Sequence, residues 1–242
     1  MKLLVLLTLA FGVCTGVTAR DIDATIDLDD QKVMSSRSFL EAHPDIKFRT
    51  EGWLAFEAAD YQAALEHFRH AASYGDKLSQ AMLAEMHWKG TGTPVDRAVA
   101  YVWADLAAER GYVQFVALRE RYWEALGATE RERALSTWRA LLDVYGDATA
   151  RPRMTAHLEH VTRRGSRPHR DADVVGADGR GGLVWVRGWD FYDEKFWDPA
   201  RYQAWVDARW APLPSGTVDV RALEVVGKDA DGPPPAPEPT GD

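Results

Sequence analysis

The sequence predicts a mainly α fold, a short solenoid of antiparallel helical hairpins followed by a small α+β extension. Three observations predict it. The pentapeptide Ala71-Ala72-Ser73-Tyr74-Gly75 recurs as Ala107-Ala108-Glu109-Arg110-Gly111, with a fainter echo in Leu141-Leu142 and Gly146. Apolar residues ahead of each copy (Tyr61, Ala64 and Phe68, then Ala100, Trp103 and Leu106) fall at the steps that make one helical face. After Asp147 the character changes to arginine-rich, then glycine-rich, then tryptophan-rich.

Residues 1–19 read as a signal peptide. Lys2 gives the positive start, Leu3 to Val13 is an apolar run short for a bilayer, and Val17-Thr18-Ala19 puts small residues before a cut ahead of Arg20. An uncleaved anchor is the rival reading. Val13 precedes the only cysteine, Cys14, which argues against lipidation. A chain cut after Ala19 has no cysteine, so neither disulfides nor thiol chemistry, and no transmembrane span. The expected location is periplasmic or secreted. Residues 20–45, rich in Asp, read as a cap segment at the N-terminal end of the stack.

Residues 46–147 read as about three hairpin units. In the first, a helix from Phe48 to Ala59 passes through Asp60 into Tyr61–Tyr74. In the second, Leu78 to Trp88 runs into Gly90-Thr91-Gly92-Thr93-Pro94, where glycine supplies the left-handed ending and proline bars continuation. Asp96 suits the N-cap of the next helix, through Arg110. In the third, Tyr112 to Leu126 ends at Gly127, and Thr129 with Glu132 has capping-box spacing for a helix to about Val144. One pair leaves a face uncovered, which the next pair must bury. Alanines such as Ala71, Ala72, Ala107 and Ala108 permit close approach, while Trp53, Phe56, Phe68, Trp103 and Trp138 fill the gaps.

Ala81-x-x-Ala84-x-Met86-x-x-x-Gly90-x-Gly92, then Asp96-x-x-x-Ala100-x-x-Trp103-x-x-x-Ala107-Ala108-x-x-Gly111, resembles a Sel1-like repeat, a relative of the tetratricopeptide repeat. The second unit carries the likeness, with Thr93 where the loop usually has Val. The first lacks the Gly-x-Gly loop and is closer to an ordinary tetratricopeptide unit, and the third is degenerate. The resemblance implies an α-helical scaffold with a concave partner surface. It brings no catalytic residues and names no partner.

Residues 148–182 read as a basic and Gly-rich linker, with a helix from Arg153 to Arg163 in its first half and loop beyond. Residues 183–228 read as a small Trp-rich α+β region: a strand at Leu183-Val184-Trp185-Val186, a helix opened by Pro199, and a strand from Thr217 toward Val226 placed to pair with the first. This layout resembles the C-terminal extension of some bacterial secreted Sel1 proteins. Residues 229–242 read as a disordered Pro-rich tail.

With 46% hydrophobic residues and ten Trp, the chain has material for a substantial core. Its formal net charge of −8 argues against nucleic-acid binding. His157 with His160, and His67 with His70, have one-turn spacing but lack the further ligands of a metal site. Asp171, Asp173, Gly176 and Asp178 suggest a calcium loop, yet Val175 and Gly182 stand where such a loop needs acids. The glycines from Gly176 to Gly182 lack the Lys-Ser/Thr of a phosphate loop. Glu130 and Glu132 read as surface acids near a helix N-terminus. No catalytic residue, cofactor or metal is expected.

Two features remain as partner-binding candidates. One is the arginine group, with Arg163, Arg164 and Arg167. The other is the tryptophan strip, with Trp189 and Trp197; core packing is the alternative for the strip and a solvated linker for the arginines. The expected function is protein–protein interaction in the bacterial envelope, without catalysis. An envelope hydrolase or glycan-binding protein using the Trp-rich region is the alternative, and a purely structural accessory the third reading.

Overall fold

A computed structural model describes residues 28–164, 174–177 and 182–210. The expected signal peptide, the strand read at 217–226 and the Pro-rich tail lie outside the described residues.

Two short helices come first, α1 (Leu28–Ser35) and α2 (Arg37–Ala42). Six helices follow: the pair α3 (Pro44–Glu57) and α4 (Tyr61–Ser73), the pair α5 (Lys77–Lys89) and α6 (Arg97–Ala108), and then α7 (Val113–Ala125) and α8 (Ala128–Tyr145), which the sequence reads as a third hairpin but which pack less on each other than on α6. Both pairs are tight hairpins, and α4 packs on α5. This is the helical-hairpin solenoid that the repeated pentapeptide predicts.

The local chemistry accounts for the boundaries. Asp60, Asp76 and Asp96 cap α4, α5 and α6, accepting from the amides of Ala63 at 3.2 Å, Ser79 at 2.9 Å and Val99 at 3.0 Å. Gly75 and Gly111, the last residues of the two pentapeptide copies, both turn left-handed, at φ 82° and 73°. Gly146, in the fainter echo, does not: its φ is −66°. The start of α8 differs from the sequence reading. Gly127 stands at the N-cap and the Glu130 carboxylate accepts from its amide at 2.9 Å, so Thr129 and Glu132 lie inside the helix.

The core of the stack is built from small residues and rings. Ala64, Ala72, Ala100, Ala104 and Ala107 are buried. Gly52 lets α4 approach so closely that a Cβ there would stand 2.7 Å from the Phe68 ring. Trp88 stacks on Tyr122 with centroids 4.0 Å apart, and Trp103 lies 4.7 Å from Tyr145. Each fully buried large side chain contributes about 1.5–3 kcal/mol.

After α8 the chain departs from the linker reading. Residues Asp147–Arg164 form α9, which starts well before Arg153. Pro152, inside this helix, is the kind of residue that marks a boundary in sequence. Ion pairs from Asp147 and burial of Ala150, Met154 and Leu158 hold the first turns in place regardless. Val174–Ala177, read as loop, is strand β1. It pairs antiparallel with β2 (Leu183–Val186), Val174 opposite Val186 and Val175 opposite Trp185. Three helices complete this lobe: α10 (Gly188–Phe191), α11 (Glu194–Trp197) and α12 (Pro199–Ala208). Its core joins Val186, Phe191, Phe196 and Tyr202 to Val33, Phe39 and Ile46 of the N-terminal helices and to Met154 and Leu158 of α9. Among the described residues no helix is long and apolar enough to cross a membrane.

Candidate functional site

The alternation along β2 sorts its side chains. Val186 is buried and Val184 half-buried, facing the lobe core with Val174, whereas Leu183 and Trp185 point outward beside Val175. Gly188 starts α10 with its backbone buried, and Trp189 next to it turns out to solvent. Trp185 is 66% exposed and Trp189 62%, whereas the lobe's other rings are buried or half-buried. Two open depressions flank them. One is lined by Trp185, Arg187, Asp190, Asp29 and Lys32, the other by Trp189, Tyr192, Asp193, Glu194 and Arg201. Their charges are largely paired: Arg187 with Asp190 at 2.7 Å and Asp29 at 2.9 Å, Arg201 with Glu194 at 2.7 Å.

The tryptophan strip therefore divides. Trp189 and Trp185 are on the surface. Trp197 turns inward: its ring lies 5.5 Å from His43 and 5.3 Å from Phe191, and its Nε1 donates to the Phe191 carbonyl. Trp205 packs 5.1 Å from Phe196. Trp210 is buried between Tyr112 and Phe115, at 5.7 and 4.8 Å, in the core of the stack.

The arginines divide too. Arg163 is exposed on α9 and pairs with Glu159, one turn back on its own helix. Arg164 is the last residue of α9, and Arg167 lies outside the described residues. Arg151 and Arg153, from the same basic run, are used internally. Arg151 reaches Asp207 at 3.0 Å, and Arg153 donates to the carbonyls of Ser73 and Val144.

A polar junction joins the repeat to α9 and α12. Arg110 forks onto Asp147 at 2.8 and 2.9 Å, donates to the Gly75 carbonyl at 3.0 Å and meets Asp207 at 3.2 Å. The buried Lys77 ammonium donates to the Leu106 carbonyl at 2.8 Å, Glu109 at 2.9 Å and Gln80 at 3.2 Å, and lies 3.0 Å from Asp147. Burial works to raise the Asp147 carboxyl, but Arg110 and Lys77 overcome it and hold it at about 2. Burial pushes Lys77 down, against Asp147 and Glu109. Burial and the bond it donates to Asp207 push the Tyr112 phenol well up. Sequence reading missed this junction, because its partners lie far apart along the chain and each residue alone reads as surface charge.

Of the four histidines in the one-turn pairs, three pack against rings and His160 is exposed. His67 and His70 lie against the Phe48 ring, at 6.2 and 4.8 Å, and His157 sets its ring edge-on to Tyr74 at 5.7 Å. Among the described residues no group of three or more His, Cys, Asp or Glu side chains is placed to hold a metal ion. Most of the calcium-loop and glycine-loop candidates lie outside the described residues; Val175 and Gly176 fall in β1.

No family model matches the sequence, and no curated protein matches it. Among solved structures, the chain is similar to a protective antigen present in uropathogenic Escherichia coli strains, whose crystal structure displays an SLR fold. The identity is 20% and the TM-score 0.34; the match covers 44% of this chain and 21% of that one, so the chain spans about a fifth of that protein's length. The class of protein, a helical-hairpin solenoid with a small α+β lobe, rests on the elements described above.

Proposed function

We propose that this chain is an exported, Sel1-type repeat protein that binds another protein in the bacterial envelope, with no catalysis of its own, and that the lobe presents the contact surface. One observation carries the reading. Trp185 and Trp189 stand exposed, with Leu183 and Val175, on a lobe whose other rings are buried or half-buried. Tryptophan is enriched among the residues that dominate binding energy, and exposed apolar patches mark interaction sites more often than chance. The stack and α9 supply a rigid base for that surface, and the signal-like residues 1–19 support a periplasmic or secreted location.

The test is capture from envelope extract with residues 20–242, alongside a Trp185→Ala/Trp189→Ala variant of the same chain. The expected result is a defined partner retained by the parent and lost or strongly reduced with the variant. Equal capture by both moves the contact off the lobe. No capture by the folded parent counts against the binding role itself.

A second reading, glycan binding, draws on Trp189 beside Asp193, Glu194 and Arg201, side chains suited to stacking on a sugar ring and bonding its hydroxyls. The depression is open and Glu194 is paired with Arg201, which favours binding over hydrolysis. Quenching of tryptophan fluorescence by cell-wall glycan fragments, lost with Trp189→Ala, is the outcome this reading requires.

A further inference from the structure

His43 closes α2, precedes α3 and faces α11. Its side chain is fully buried. The ring stacks on Phe39 at 3.8 Å and lies 4.6 Å from the ring of Tyr202. Both ring nitrogens meet main-chain carbonyl oxygens, Nδ1 at 2.8 Å from Phe39 O and Nε2 at 2.7 Å from Phe196 O. A carbonyl oxygen only accepts. A neutral imidazole has one N–H, and its other nitrogen carries a lone pair. A neutral ring would therefore hold that lone pair against an oxygen at hydrogen-bond distance. The imidazolium donates at both ends.

The counter-charge is two residues away. Asp45 is buried in the first turn of α3, where a carboxylate suits the helix dipole, and Tyr202 donates to its Oδ2 at 2.7 Å. Its Oδ1 has no hydrogen-bond partner, so a proton placed there would find no acceptor. The pair's shared proton thus meets one further carbonyl at His43, where the neutral ring's own N–H already uses the other, and no acceptor at Asp45 Oδ1. The Phe39 carbonyl belongs to the last turn of α2, an end that favours a cation. The other charged or titratable groups acting on the pair are Arg49 on α3, Asp76 at the start of α5, His157 on α9, and Tyr202 and Arg209 at α12. Arg49 and Asp76 pair with each other at 2.7 Å and largely cancel. Burial is the largest influence on both groups: it carries the His43 ring below its usual range against Asp45 and the two carbonyls, and the Asp45 carboxyl above its own against His43 and Tyr202. What favours the imidazolium against burial is the geometry, a carbonyl oxygen at hydrogen-bond distance from each ring nitrogen.

We propose that His43 is held as an imidazolium and works as a charged pin between the N-terminal helices and the lobe, so that loss of its proton loosens the lobe. Its Nε2–H to Phe196 O is the direct link to α11, and Asp45 carries the second link, to Tyr202. An imidazolium in the fold means a folded pKa above the unfolded value of about 6.5. Its stabilisation is then complete below that value and is lost as pH rises through the folded one. A neutral buried ring gives the opposite sign: stability falls as pH drops below about 6.5, because only the unfolded chain takes up the proton.

The experiment is nitrogen NMR of the histidine rings in the full mature chain across pH 6 to 10, with the same chain unfolded in urea as reference. The expected result is that His43 keeps two N–H protons well above pH 6.5, about the value of an unperturbed histidine. A single N–H at neutral pH, with one nitrogen showing a lone-pair shift, overturns the proposal. Denaturation of the parent and a His43→Gln variant across the same range gives a second readout. The parent should lose stability relative to the variant as pH rises; a flat or rising difference overturns the proposal. The NMR result on the parent decides the matter if the variant does not fold.

Discussion

Lys77 and Asp147 meet where little water reaches: the lysine is 2% exposed, and its ammonium has a main-chain carbonyl, two carboxylates and an amide around it. Charges in such a place are tolerable only when each is fully partnered. Removing one partner is therefore worse than removing the set. Asp147→Asn leaves Lys77 and the Arg110 fork short of their shared carboxylate, and is expected to lower stability by roughly 3–5 kcal/mol, read from the denaturant midpoint. The same carboxyl sets an acid limit. Its folded pKa of about 2 lies below the usual value of 3.8, so its contribution is present above the usual value and lost as pH falls through the folded one. That contribution is about 2 kcal/mol, and in the Asn variant the corresponding part of the acid transition between pH 4 and roughly 2 should be missing. Sequence exposed only fragments of this junction. Arg110 was visible as one letter of a repeated pentapeptide, and Arg151 as one of a basic run. Their partners Asp147 and Asp207 are fixed by how α9 and α12 fold back, and nothing local in the sequence encodes that distance.

The elements were more legible where backbone chemistry is local. Gly75, Gly90, Gly92 and Gly111 all take positive φ, as the turn signals imply, and three aspartates cap the helices they precede. Two of these glycines separate conformation from crowding. At Gly111 a Cβ would meet nothing within 4 Å, so Gly111→Ala should cost only the left-handed strain, about 1 kcal/mol. At Gly92 a Cβ would stand 2.5 Å from that of Tyr61 and 2.9 Å from its carbonyl oxygen. Gly92→Ala adds overpacking to the strain and should cost about 2–4 kcal/mol, with an unchanged m-value, by urea titration of both variants. Legibility failed where tertiary contacts override the local signal. The helix read from Arg153 starts earlier, at Asp147, because ion pairs and burial carry α9 across Pro152. Val174–Ala177 was hidden by its glycine-rich neighbours, because a strand this short is defined by the partner it finds.

For the described molecule as a whole, the question is how so short a stack covers its apolar faces. One answer is α1 and α2, which share a core with the lobe. Another is the lobe's own last turn, which sends Trp210 into the core of the stack against Tyr112 and Phe115. Composition showed that the tryptophans were plentiful but not which way each would face, since that depends on strand register and on helix docking. The division makes a prediction that separates scaffold from surface. Trp210→Ala empties a buried site that joins lobe and repeat, and should lower stability by roughly 3–5 kcal/mol. Trp185→Ala and Trp189→Ala remove rings more than 60% exposed, and should each shift stability by no more than about 0.5 kcal/mol. Thermal or urea unfolding of the three variants checks the contrast. If Trp189→Ala destabilises the chain as much as Trp210→Ala, the outward rings belong to the scaffold, and the contact surface must be sought on the helical stack. If it leaves unfolding unchanged, any loss of partner capture by that variant reports on the surface alone.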